Sequence, residues 1–134
     1  MLKGHLYIND DVLPTLLAVS NEEQTAGLMF VEPPTPIMSF VYRTAQVNKF
    51  WMKATPSELD IVFSINGKIT NICKGEPHST KLIGDDFPSD LVVELPYGTC
   101  AKLNVNVGDS IGLVKNVDKL HQLHEIKNNL LKDF

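Results

Sequence analysis

The sequence predicts a single β-rich domain of the α+β class, and three observations lead there. Runs of β-forming residues such as "HLYI", "IMSFVY", "DIVFSI", "KITNI" and "LVVEL" are short and bounded by Gly, Pro, Asn and Asp, the punctuation of strands joined by turns. Two of these runs flank Asn66-Gly67, a dipeptide that tolerates positive φ at both central positions of a hairpin turn. Helical signals are confined to a capping pattern at Ser20 to Glu23 and to the final stretch, where Leu120, Leu123, Ile126, Leu130 and Phe134 recur at spacings of three and four. With 134 residues the chain can bury roughly two-thirds of its unfolded surface in one core. We therefore expect one β-rich domain over 1–114 and a C-terminal amphipathic helix over 115–134.

Taken in order, "HLYI" is a strand, Asn9 to Asp11 a polar turn, and "VLPTLLAVS" a second apolar segment that Pro14 keeps at a sheet edge or outside a ladder. Ser20 as N-cap, with Glu23 three residues later, starts a short helix over 21–26, and Gly27 ends it. "LMF" then packs inward, "VEPPTP" is an extended loop, "IMSFVY" a strand and "RTAQVN" a loop. Phe50 to Lys53 suit a strand, broken by "TPSE". The Asn66-Gly67 hairpin follows, and 74–90 make a polar surface excursion. "LVVEL" is a strand, "PYGTCAKLNV" a turn with a short helix, and "NVGDSIGLV" a turn before a last strand.

Composition narrows the function classes. Hydrophobic residues at 43% and charged residues at 21% describe an ordinary folded protein rather than a disordered chain. Twelve basic residues against sixteen acidic ones give a net charge of −4 with no basic block, and a phosphate-tracking surface needs clustered cations, so nucleic acid is not an expected partner. Arg43 is the single arginine, which leaves almost no bidentate clamp for phosphates or carboxylates. Cys73 and Cys100 have neither C-x-x-C spacing nor a histidine pattern, and read as buried free thiols. The N-terminal run meets Asn9, Asp10 and Asp11 before it could build a signal-peptide core, and no window has the apolar length of a membrane span. On this reading the chain is cytoplasmic or already processed.

The candidate site residues begin with the single tryptophan. In an extended segment side chains alternate, so Lys49, Trp51 and Lys53 share one side and Phe50 and Met52 the other. Trp51 could stack on a ligand while Lys49 or Lys53 contacts an anion or hydroxyls; alternatively, Trp51 fills a core that Lys53 covers. Asp60 opens an apolar strand and Glu94 lies within "VVELP". Buried carboxylates need partners, so structural pairing, ligand contact and acid-base work are all open for both. His121, His124 and Glu125 could share a metal across helical turns, but without a third fixed ligand they read as a solvated face, and no metal or other cofactor is implied. No nucleophile elbow, phosphate loop, dinucleotide fingerprint or zinc-protease helix occurs.

Four ordered stretches carry a resemblance. "EEQTAGLMF", "IMSFVY", "FWMKATPSELDIVFSINGKITNI" and "VVELPYGTCAKLNVNVGDSI", spanning most of 22–111, together resemble the family called domain of unknown function 192. Its pattern reads E-[RQ]-x-x-G-L-M-F, G-M-L-F-x-F, F-W-M-K-N-T-x-x-P-L-D-I-x-F, then L-E-L-P-x-G with a later G-D. Glu23, Gln24, Gly27 to Phe30, Met38, Phe40, Phe50 to Lys53, Thr55, Leu59 to Ile61, Phe63, Glu94 to Pro96, Gly98, Gly108 and Asp109 match it. Ile37, Ser39, Ala54, Glu58 and Val93 depart from it, Ala54 by replacing an asparagine. The resemblance implies a compact, barrel-like domain with short helices and supplies no activity. The residues favour a small non-enzymatic binding or accessory module for an unknown small molecule or protein, with Trp51, Lys53, Thr55, Asp60 and Glu94 as the candidate surface. Two alternatives remain open: an enzyme for a small polar or carbohydrate-like substrate using Asp60 or Glu94, and an assembly protein that forms a homo-oligomer through its last helix.

Overall fold

The computed structural model describes residues 1–114. The expected helix over 115–134, its His121, His124 and Glu125, and the self-association expected through it lie outside the described residues.

Strands β1 (Leu2–Ile8) and β2 (Asp11–Ala18) form a hairpin across Asn9-Asp10, with Asn9 at φ 52°. Pro14 pairs with His5 and precedes the three residues, Leu16 to Ala18, through which β2 runs parallel to β3 (Met38–Val47). Its missing N–H therefore leaves no gap in the β2–β3 ladder. Helix α1 (Asn21–Ala26) is capped reciprocally: the Ser20 hydroxyl accepts from Glu23 N at 3.1 Å, and the Glu23 carboxylate accepts from Ser20 N at 3.1 Å. These bonds to backbone N–H groups hold the Glu23 carboxyl below the ordinary range.

After α1 the chain departs from the expected inward packing of "LMF". Leu28 is buried, but Val31 N bonds to Leu28 O, and the turn so closed sends Phe30 outward at φ 64°, 79% exposed. Strand β3 continues through the predicted loop to Val47, with its pairing to β6 (Pro88–Pro96) interrupted between Val41 and Gln46. The predicted strand at Phe50 to Lys53 shrinks to one bridge, Phe50 to Ile83, because the chain turns at Lys53-Ala54 to bring Thr55 N back to Met52 O. Strands β4 (Leu59–Ile65) and β5 (Lys68–Gly75) flank Asn66-Gly67, whose φ values of 50° and 77° are those the sequence anticipates for this hairpin. Helix α2 (Thr99–Lys102) and β7 (Ile111–Leu113) complete the described chain.

The seven strands form one sheet in the order β5-β4-β6-β3-β2-β1-β7. It curls into a half-barrel whose two ends are drawn together by a bridge from Lys68 to Ser110 and by the bonds Ile69 N to Asp109 O and Ile111 N to Gly67 O. The fold thus matches the expected β-rich, barrel-like class, with two short helices. Each face of the sheet has its own core. Leu6, Ile8, Val62, Ile69, Val93, Leu95 and Ile111 come from both ends of the sheet and so fill the inside of the curl. Leu28, Met38, Phe40, Met52, Leu59, Ile61, Phe63 and Val92 pack on the other face, under α1 and the 48–55 segment.

Cys100 is buried, Cys73 half-buried, and both are free thiols. Burial, then the neighbouring Asp60 charge, pushes the Cys100 thiol up to about 12, so it is not a nucleophile at neutral pH. No helix among the described residues is long and apolar enough to cross a membrane.

Candidate functional site

Strand alternation decides where the two candidate carboxyls point. Glu94 lies between Val93 and Leu95, which face the inside of the curl, so its side chain faces the outer core with Val92. Asp60 lies between Leu59 and Ile61, which face the outer core, so its side chain goes inward. The register pairs Ile61 with Glu94 and Asp60 with Leu95. The carboxyls are therefore near neighbours in the sheet that project from opposite faces.

Asp60 is fully engaged in structure. Its Oδ2 accepts from Gly98 N at 3.1 Å and from Cys100 N at 3.0 Å, fastening the start of α2 to the sheet. Of the roles left open by the sequence, this is the structural one: the carboxylate caps the first N–H groups of α2.

Glu94 is different: it is 95% buried by area (5% exposed), and no hydrogen bond reaches it from the described residues. Its carboxyl forms the floor of a cleft of about 350 Å³. Gln24 to Gly27 of α1 form one wall, Phe40, Tyr42 and Gln46 of β3 another, and Asn48 to Trp51 with Thr55 the third. Gly27, at φ 49°, lets bare backbone lie against the carboxyl; a Cβ there would sit 3.5 Å from Glu94 Oε1 and 3.6 Å from the Phe40 ring. Burial raises the Glu94 carboxyl to about 8, so it is mostly neutral at pH 7. Burial, and to a lesser extent the Glu94 charge, pushes the Tyr42 phenol to about 12.

The rings in and beside this cleft are ordered by their contacts. Phe40 meets Phe50 edge-on at 5.0 Å, and Phe50 meets Phe63 edge-on at 5.8 Å, so Phe50 and Met52 close the core beneath the segment. Trp51 turns the other way and is 47% exposed at the cleft mouth, which excludes the core-filling alternative. Lys53 places its ammonium 5.2 Å from the Trp51 ring centre and does not itself line the cleft. Of the five candidates, the structure brings Trp51, Thr55 and Glu94 together, sets Lys53 against the outer side of Trp51, and puts Asp60 on the far face.

Residues that the sequence does not single out are Gln24, Tyr42, Gln46 and Asn48, whereas Lys49, offered beside Trp51 as a ligand contact, does line the cleft. Gln24 and Tyr42 lay within matched or near-matched positions of the family pattern, but nothing in their spacing joined them to Trp51. A larger groove of about 880 Å³, lined in part by Gly4, Pro14, Leu16, Ile37 and Val114, has no buried ionisable group aimed into it. Among the described residues no three metal-ligating side chains come together.

The comparisons with known proteins agree with this architecture. The model of the family DUF192, described as an uncharacterized ACR, matches residues 7–113. The chain belongs to the DUF192 family. A crystal structure from Sinorhizobium meliloti 1021, described as that of a "putative transcription regulator", is similar at 29% identity and a TM-score of 0.79, over 84% of this chain and 94% of that one. A protein of unknown function from Novosphingobium aromaticivorans DSM 12444 is similar at 25% identity and a TM-score of 0.74, over 81% of this chain and 83% of that one. No curated protein matches the chain.

Membership also gives the Ala54 departure a physical meaning. Ala54 sits at φ 52°, in the left-handed region that asparagine adopts at lower cost than alanine, and its carbonyl accepts from Phe30 N at 2.7 Å. Ala54 is not among the residues lining the cleft. Ala54→Asn is expected to stabilise the fold by about 1 kcal/mol, measured by urea denaturation.

Proposed function

We propose that this DUF192 protein is a small-molecule binding module whose ligand sits in the Glu94 cleft. The observation that carries the reading is an ionisable side chain, nine-tenths buried and without a hydrogen-bond partner among the described residues, at the floor of a concave site with an exposed tryptophan at its mouth. A polar group left in that state costs the fold free energy, and a ligand that bonds to it recovers part of that cost. Thr55 and Trp51 then line the ligand, while Lys53 steadies the tryptophan ring.

An acid-base enzyme using two carboxyls is less well supported, because Asp60 projects from the other face and is held by two backbone N–H groups. The name of the Sinorhizobium structure brings in regulation. With twelve basic residues, sixteen acidic ones and no basic block, this chain suits a regulatory role exercised through a bound ligand better than one exercised through nucleic acid.

A thermal-shift screen of sugars, amines, nucleotides and organic acids tests the proposal. Some class is expected to raise the Tm of the wild type by several degrees and to lose that effect in Trp51→Ala and in Glu94→Gln. No stabilisation by any class, or stabilisation of equal size in both variants, would overturn it.

A further inference from the structure

Resting on that reading of the cleft, we infer that its ligand is a small cation of the alkylammonium type, held by the Glu94 carboxylate among the rings of Phe40, Tyr42, Phe50 and Trp51. Several hydrogen-bonding groups of the cleft are already committed within the protein. The Gln24 amide donates to Ala18 O at 3.1 Å and to Val41 O at 2.9 Å. The Gln46 amide donates to Asn48 Oδ1 at 2.9 Å, and the Asn48 amide donates to Gln46 O, Ser89 O and Ser89 Oγ. The Thr55 hydroxyl donates to Lys53 O at 3.2 Å. The side-chain donors of Gln24, Gln46, Asn48 and Thr55 are thus committed within the protein, while the side-chain oxygens of Gln24, Gln46 and Glu94 take part in no bond with the described residues; Asn21, Thr25 and Tyr42 also line the cleft. The unpartnered carboxyl on the floor, beside the free oxygens of Gln24 and Gln46, suits a ligand that brings several donors, as an ammonium group does.

The rest of the lining agrees. Four aromatic side chains border the cleft, and ring faces attract cations. The charged and titratable groups around Glu94 are few. Tyr42 on β3 is neutral up to about 12, α1 exposes Glu22 and keeps the Glu23 carboxylate on the N–H groups of Val19 and Ser20, and β4 presents Ile61. From the 48–55 segment come Lys49 and Lys53. Lys49 is drawn away to Gly84 O at 3.3 Å and Asp86 at 3.2 Å, and Lys53 lies over the Trp51 ring. A carboxylate ligand would find no uncommitted cation here. At about 350 Å³ the cleft has room for a short chain on the ammonium group and little more.

Binding of a cation requires the Glu94 proton to leave for solvent, so affinity should follow the ionised fraction of that carboxyl. Because Trp51 is the single tryptophan, its fluorescence reports on the cleft mouth directly. The full chain would be titrated with propylammonium chloride, 1-propanol and sodium propionate from pH 6 to 9. Propylammonium is expected to give a saturable change whose affinity rises about fifty-fold between pH 6 and 8, levels off above that, and loses its pH dependence in Glu94→Gln. Tighter binding of 1-propanol or propionate that Glu94→Gln still weakens would overturn the cation and leave the cleft a ligand site. No saturable change with any of the three would overturn the cation inference, and the broader screen then judges the cleft independently.

Discussion

Replacing Glu94 with glutamine will remove a pH dependence from the stability of the fold. In the unfolded chain the carboxyl loses its proton near 4.5; in the folded chain it holds the proton up to about 8. Between these values the folded state binds one proton more than the unfolded state, so stability falls as pH rises, by about 1.4 kcal/mol per pH unit. The contribution is fully present below about 4.5 and is lost by the time pH passes about 8, a span on the order of 5 kcal/mol. The glutamine variant lacks this slope, whatever constant offset its buried amide introduces. Urea denaturation of both proteins between pH 5 and 9 should therefore show the variant gaining on the wild type up to about pH 8 and running parallel to it above. Parallel curves throughout would mean that Glu94 is solvated or partnered.

The second large effect belongs to Asp60. Asp60→Ala leaves the N–H groups of Gly98 and Cys100 without their acceptor in a site where the carboxylate is only 6% exposed, and should cost about 2–4 kcal/mol. Asp60→Asn keeps one carbonyl oxygen and should recover roughly half of that loss. Because Asp60 projects from the opposite face of the sheet, any ligand that binds the Glu94 cleft should bind Asp60→Asn with unchanged affinity. Denaturation midpoints and ligand titration, run on the same variant, separate the two carboxyls that the sequence presents as equivalents.

That equivalence shows how far the sequence reads. Local chemistry was legible wherever it is spelled by adjacent residues: the Ser20–Glu23 capping box, the Asn66-Gly67 hairpin and the short α2 all form where expected, because each depends on contacts within a few positions. The extent of β3 beyond Tyr42 was not legible, since "RTAQVN" is held extended at its end by pairing with Ser89 and Pro88, which lie far off in sequence. Phe50 to Lys53 had the residues of a strand but lacked a long partner, and tertiary context reduced them to a bridge and a turn. Alternation placed Trp51 and Lys53 on one side correctly, yet it could not relate Asp60 to Glu94. Their relation depends on the register between β4 and β6, which sets Ile61 rather than Asp60 opposite Glu94. The amides of Gln24, Gln46 and Asn48 escaped notice for the same reason: their role comes from strands and a helix that meet only in the fold.

Glu94 is, on this reading, a largely buried carboxyl without a hydrogen-bond partner among the described residues, kept for a cationic ligand. The most direct test is the side-chain carboxyl carbon of Glu94 followed by NMR from pH 3 to 10, without and with propylammonium. The account predicts a midpoint near 8 in the free protein that moves downward as the ammonium saturates the cleft. A midpoint in the ordinary carboxyl range, or one that propylammonium leaves unmoved, would contradict it.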